Sequence, residues 1–333
     1  MKVPTILRSP VVPAAAATLL VFVLGAITTP RFLTGQNMEN LALQTSIVAI
    51  VAIGSGLTIL SGEIDLSPGS QVSLLSMILA TSLANFGWSV PAACVLVLVV
   101  GLVLGAVNGV LVTWGRVPSF VGTLGTLSVF AGMALLFNHG SPIFGLSSDL
   151  QEVFYGRFLR MPLPFLYTVA LFLIAYLFLS YTILGREIYA VGGNAVAASL
   201  SGLRPNRVRF LAFTFAGLAA GFGAILITAR LASGSPNLGG GLELTAITAA
   251  VVGGISLSGG RGSIIGALLG AVTISSVQNI LNLNAVPTTW QRIVLGVIII
   301  LAVSIDGWKN EFSLLARLRW GTKGAGPGTR VTQ

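Results

Sequence analysis

The chain has 333 residues, of which 54% are hydrophobic and 8% charged, and its mean hydropathy is +0.93. A soluble domain carries about 25% charged residues, so this composition excludes a soluble globular protein and defines an integral membrane protein. In such a protein the formal net charge of +9 marks orientation rather than an affinity for nucleic acid. Cys94 and His139 are the single cysteine and histidine. A disulfide framework, a thiolate metal centre and a histidine cluster are therefore excluded, and no metal site is expected.

The chain begins like a signal peptide, with Lys2 and Arg8 ahead of an apolar run from Val11. The run continues to about Thr29 and further spans follow, so an uncleaved first span is expected. Ten spans are predicted from runs long enough to cross about 30 Å of hydrocarbon: 11–29, 44–60, 67–84, 90–113, 118–137, 163–183, 208–229, 243–257, 263–283 and 292–306. Several are short, notably 243–257 and 292–306, which allows for broken helices. With the N-terminus inside, the outer side holds only Arg31, Arg157, Arg160, Arg230 and Arg292, and all other Lys and Arg lie inside. That asymmetry predicts both termini in the cytoplasm. The expected organisation is one membrane domain over 1–310, with halves at about 11–137 and 163–306, and a basic, Gly-rich cytoplasmic tail at 311–333.

Residues 61–70, SGEIDLSPGS, form the first informative loop. Asp65 or Ser67 is placed to cap a helix starting near Pro68, and Glu63 and Asp65 could pair with loop arginines. A simple capped turn and a gating role both fit. Small residues then recur at four-residue spacing: Gly101, Gly105 and Gly109; Gly217 and Gly221; Gly266 and Gly270. These make flat faces for close helix packing and carry no information about a substrate. The outer loop at about 138–162 is too short for a binding domain.

The stretch 185–210, GREIYAVGGNAVAASLSGLRPNRVRF, is the longest polar, Arg-rich segment between apolar runs. Asn194 suits an N-cap, Ala195–Ser201 tolerate helix, Gly202 suits a left-handed helix end and Pro205 follows as a stop. Val196, Leu200 and Leu203 make one apolar stripe. The segment fits either an ordinary cytoplasmic loop with a stub of helix or a surface that meets a partner in water.

GLVLGAV at 101–107 resembles GALLGAV at 266–272 running the opposite way, and GEIDLS at 62–67, expected on the inside together with its acids at a span end, resembles GLELTA at 241–246, expected on the outside. This fits an inverted-topology repeat, although Gly/Leu/Val-rich spans also resemble one another by chance. LSGGR at 257–261 is read as a tight turn, because the chain has no phosphate-binding G-x-x-x-x-G-K-[ST] motif. Asn108, Gln278, Asn279, Asn282 and Asn284 are amides in or near spans. They serve either as interhelical glue or as hydrogen-bond partners for a polyhydroxy solute, on which Phe137 or Trp290 could stack.

The predicted span interiors contain no Asp, Glu, Lys, Arg or His. Ion-coupled carriers and intramembrane enzymes usually need such groups. A path for a neutral polar solute remains, driven from elsewhere or passive.

Taken together, GEIDLSPGS, RVPSFVGTLGT (116–126), GREIYAVGGNAVAASLSGL (185–203), LELTAITAAVVGGISLSGGRGSIIGALLGA (242–271) and TWQRIVLGVIIILAVSID (289–306) resemble bacterial ABC-transporter permeases of the ribose/xylose/galactoside type. The resemblance implies an all-α, ten-helix permease of the inner membrane that dimerises as a homo- or heterodimer. It also implies a cytoplasmic ATPase partner, which holds the ATP and Mg, and a periplasmic or lipid-anchored sugar-binding protein. This chain itself would carry no cofactor and no catalytic residue. Residues 194–202 would be the coupling helix, with Asn194, Ala195, Ala198, Ser199, Leu200 and Gly202 at the ATPase. On that reading Ala198→Asp is expected to break coupling and leave the spans folded. The chain departs from the family at Glu63, where a second glycine is usual, and at Pro68, where valine is common. A polyol, a nucleoside or an amino acid is the alternative substrate, and a stand-alone sugar facilitator the alternative mechanism.

Overall fold

The computed structural model describes residues 11–159 and 161–321. The helices are α1 Val11–Thr28, α2 Gly35–Leu60, α3 Pro68–Ala84, α4 Val90–Thr113, α5 Ser119–Leu136, α6 Ser148–Tyr155, α7 Leu163–Tyr181, α8 Ile183–Gly193, α9 Ala195–Leu200, α10 Pro205–Leu231, α11 Leu242–Val252, α12 Ile264–Leu283 and α13 Thr288–Gly321. Four two-residue strands complete the described residues. β1 (Ile143–Phe144) pairs antiparallel with β4 (Ser233–Gly234), and β2 (Arg157–Phe158) with β3 (Met161–Pro162). The protein is thus an all-α membrane protein. α1, α2, α4, α5, α7, α10 and α12 are each long and apolar enough to cross a membrane, whereas α11 and residues 288–304 of α13 are shorter apolar helices.

The predicted spans fall on helices, with four informative differences. α2 starts nine residues before the expected 44, because Thr34 caps it by accepting the Asn37 N–H at 3.4 Å. α8 was not expected; the Thr182 hydroxyl starts it by accepting the Gly185 N–H at 3.0 Å. α11 ends at Val252 rather than 257, where Gly254 (φ 88), Gly259 (φ 80) and Gly260 (φ 67) turn the chain in left-handed backbone. α13 continues through Gly321, past the expected span end at 306 and into the stretch read as tail. Residues 1–10 and 322–333, with Lys2, Arg8, Lys323 and Arg330, lie outside the described residues.

The core is the α2–α3–α10 centre, wrapped by α4, α11 and α12. Small residues bring these helices together as the spacing implies. A Cβ at Gly101 or Gly105 would meet the backbone of Gly217 or Phe213, and one at Gly270 would meet the Ala249 carbonyl. Loops gather at two opposite ends. At one end the Gly260 N–H donates to the Leu60 carbonyl at 3.0 Å, and Gly192 lies against both. At the other, β1 meets β4, Arg157 pairs with Glu39 at 2.6 Å, and Asn284 donates to Thr29 at 2.8 Å.

Candidate functional site

α3 begins inside the body, and α11 begins against it with a partly exposed first turn. α3 is reached through an extended arm, residues 62–67, that enters from the end carrying Leu60 and Gly260. Its N–H groups are satisfied by hydroxyls of the adjoining α5. Ile64 donates to Ser119 Oγ at 3.3 Å and Leu66 to Thr123 Oγ1 at 3.1 Å. α11 is reached through a second arm, residues 232–241, that leaves the opposite end at β4 and descends along α3. Gly234 lies against Ser76 and Ala80, and Gly239 against Gly69, with its N–H donated to Ser73 Oγ at 2.9 Å. α3 itself is aligned on α10 by the Thr228–Ser76 hydroxyl bond of 2.8 Å. The beginnings of α3 and α11 therefore face each other, and Glu243 lies against Gly69. Non-helical backbone survives at this depth because protein groups complete its hydrogen bonds.

This placement corrects one expectation. The segments 62–67 and 241–246 were assigned to opposite membrane faces, and their acids to span ends. The acids do sit at helix ends, but the two ends meet within the protein. Asp65 is only 1% exposed.

Ser67 is the hub of the crossing. Its hydroxyl donates to Asp65 Oδ1 at 2.7 Å and accepts from Gln71 Nε2 and Asn108 Nδ2, each at 2.7 Å. Its N–H donates to the same Asp65 oxygen at 2.9 Å. Ser67 is the N-cap residue of α3, but neither it nor Asp65 makes the side-chain cap bond into the helix that was expected. The carboxylate instead fixes the bend before the helix. Among the described residues, Asp65 Oδ2, Gln71 Oε1 and Asn108 Oδ1 are fully buried and have no hydrogen-bond partner.

Of the two acids expected to meet loop arginines, Glu63 does so, with Arg209 Nε at 3.0 Å. Among the described residues Asp65 has no ion-pair partner.

The remaining amides are brought together with helices rather than with one another around a cavity. Asn279 pairs reciprocally with Asn37 at 2.9 Å, Gln44 donates to Gln278 at 3.2 Å, and Gln291 donates to Asn282 at 2.8 Å. All three pairs tie α12 to α2 or α13, so the glue reading describes their geometry. Phe137 packs against the core and Trp290 is exposed. Gln71, Ser73, Thr123 and Gly239 were not singled out from the sequence. The available signal was S-G-S-P-N-L-G-G-G at 233–241, a run of turn residues with nothing apolar enough to span.

The 194–202 segment takes the expected form. Asn194 Oδ1 accepts the Ala197 N–H at 2.9 Å, α9 follows, and Gly202 ends it at φ 87. Pro205 is the first residue of α10 as well as a stop. Val196 and Leu200 are 71% and 86% exposed, whereas Ala198 is 6% exposed and packs into the protein. Asn194, Ser199 and Gly202 are exposed, and Ala195 is half-buried.

A many-helix membrane body with inset helices and a helix-bearing loop at one end is the architecture of a solute permease. Residues 37–303 match the family described as "Branched-chain amino acid transport system / permease component", and the chain belongs to that family. Curated relatives agree. The chain is 39% identical over 298 residues to the ribose import permease protein of Escherichia coli (strain K12), covering 88% of this chain and 92% of the relative. It is 39% identical over 293 residues to the ribose import permease protein of Bacillus subtilis (strain 168), covering 87% and 91%. It is 35% identical over 294 residues to the autoinducer 2 import system permease protein of Salmonella choleraesuis, covering 88% and 84%. No solved structure matches the chain.

Proposed function

We propose that this chain is the transmembrane permease subunit of an ATP-binding-cassette importer that moves a monosaccharide into the cytoplasm. The observation that carries the reading is the 39% identity, over about nine-tenths of both chains, to ribose import permeases. The family's description favours an amino acid as the second substrate class.

In this reading the membrane is the bacterial inner membrane, with both termini and α9 in the cytoplasm. ATP and Mg belong to a partner ATPase, the solute comes from an extracytoplasmic binding protein, and a second permease copy completes the path. The chain itself does no covalent chemistry. Ten crossings in two inverted halves fit the packing. α3 lies on α10 and α5, as α11 lies on α2 and α13, and α4 lies on α10 as α12 lies on α2. Such a repeat supports alternating access by rocking of the two halves.

α9 is the proposed ATPase contact, through the exposed Val196 and Leu200. Ala198→Asp would place a charge inside the protein and test folding instead. The better test is Leu200→Asp: co-purification with the ATPase encoded for this transporter, followed by sugar-stimulated ATP hydrolysis in lipid. The variant is expected to fold and to lose both. Wild-type chain that moves labelled sugar across liposomes with no ATPase present would make it a facilitator and overturn the reading.

A further inference from the structure

At the end of the molecule that carries α9, a cavity of about 360 Å³ opens between the ends of α4, α5 and α10. Its polar lining includes Arg116, Arg209, Asn206 and Glu63. Arg116 is exposed, has no ion-pair partner among the described residues, and sits at φ 55, a left-handed conformation unusual for its type. Arg209 reaches Glu63 only through Nε, and that contact lacks hydrogen-bond geometry. Two guanidinium groups thus face one carboxylate, and the cavity has a net positive charge. The first turn of α5 forms another wall, with no side-chain cap on its N–H groups.

The surroundings indicate what brings an anion here. Trp114 is 56% exposed beside the cavity and packs at a tilt against Phe210, with ring centroids 5.2 Å apart. This is the position of an interfacial aromatic anchor. On the same two helices Val107 and Val110 of α4 and Val121 and Leu124 of α5 are exposed apolar residues. An anionic head and an apolar tail would each find a matching surface.

We propose that this cavity binds the phosphodiester of an anionic phospholipid, with Arg116 and Arg209 on the phosphate, Asn206 as a further donor, and the acyl chains along α4 and α5. Glu63 competes with the lipid for Arg209. The proposal does not depend on which solute is carried.

The test uses the full-length protein in phosphatidylcholine vesicles doped with phosphatidylglycerol, with the lipid retained on extraction read by native mass spectrometry. Wild type is expected to retain phosphatidylglycerol selectively. Arg116→Asn removes the charge and keeps a residue that tolerates left-handed backbone; it should retain about fivefold less, the effect of one interfacial cation. Glu63→Gln should retain more, which a purely structural role would not produce. Arg186→Gln, on the same end but outside the cavity, should retain as much as wild type. Equal losses in the Arg116 and Arg186 variants would reduce the effect to general surface charge and overturn the proposal. So would retention without preference for phosphatidylglycerol, or full displacement of the lipid by inorganic phosphate, which would identify a soluble phosphate as the ligand.

Discussion

The two arms that reach the interior do the same task with opposite chemistry. The inner arm, 62–67, turns in at Gly62 (φ 87) and is held by side chains: Ser119 and Thr123 take its N–H groups, and the Ser67 hub binds Asp65, Gln71 and Asn108. The outer arm, 232–241, is held by closeness of backbone, with glycines at 234 and 239 where a Cβ would strike α3. One Ser73 hydroxyl is its main polar tie. Backbone buried in a membrane protein must have its polar groups satisfied. One arm satisfies them by bringing hydroxyls and amides to the chain, the other by leaving out side chains so that the chain can reach its neighbour. The first arm should therefore fail when a polar atom is removed, and the second when a carbon is added.

The largest effect is expected at the hub. Ser67→Ala leaves Asp65, Gln71 and Asn108 each short of a buried partner. At about 1 kcal/mol per hydrogen bond, the three together amount to about 3 kcal/mol. Thermal unfolding in detergent should show the largest drop of this series; a drop no greater than that of an exposed control such as Ser199→Ala would remove the hub from the account. Gly239→Ala comes next. Its Cβ would meet the Gly69 carbonyl, which cannot move without shifting α3, so overpacking of about 2 kcal/mol is expected. The same methyl at Gly241, which has open space at φ 89, would bring backbone strain alone, about 1 kcal/mol. If Gly239→Ala is as mild as Gly241→Ala, closeness is not what holds the outer arm. Ser73→Ala removes the side-chain tie between this arm and α3 and should destabilise by about 1 kcal/mol, less than Ser67→Ala because one bond is lost instead of three.

The contrast also explains what the sequence disclosed. Spans were legible because apolar length is a one-dimensional signal, and α4 begins and ends at the residues predicted, Val90 and Thr113. The short helix at 194–202 was legible because Asn194 and Gly202 act on their immediate neighbours. The inner arm was half legible: Asp65 and Ser67 stood out as chemistry, but their real partners, Gln71 on the next helical turn and Asn108 on α4, depend on tertiary folding. The outer arm was not recognised, because a glycine kept for close approach looks the same in sequence as one kept for a turn. Nor could spacing reveal that 62–67 and 241–246 meet. That follows from two broken helices entering from opposite ends, and the sequence showed it only in the short span at 243–257. Ala198 was misjudged as outward for a related reason, since on a two-turn helix the apolar stripe and the small-residue face give no sign of which one meets the protein.

The smallest effect belongs to the mouth of the inner arm, where Glu63 meets Arg209 at 3.0 Å with side chains 12% and 26% exposed. Such a pair near water contributes below about 1 kcal/mol and is screened by salt. Glu63→Gln should therefore change the unfolding temperature little, and the small difference from wild type should shrink further as salt is raised. Ser67→Ala, at the other end of the same arm, should show no such salt dependence, because its partners are buried and held by hydrogen bonds within the protein. A salt-dependent Ser67→Ala deficit would mean that the hub is open to ions. A salt-independent and large Glu63→Gln deficit would mean that the mouth, instead of the hub, is what keeps the arm in place.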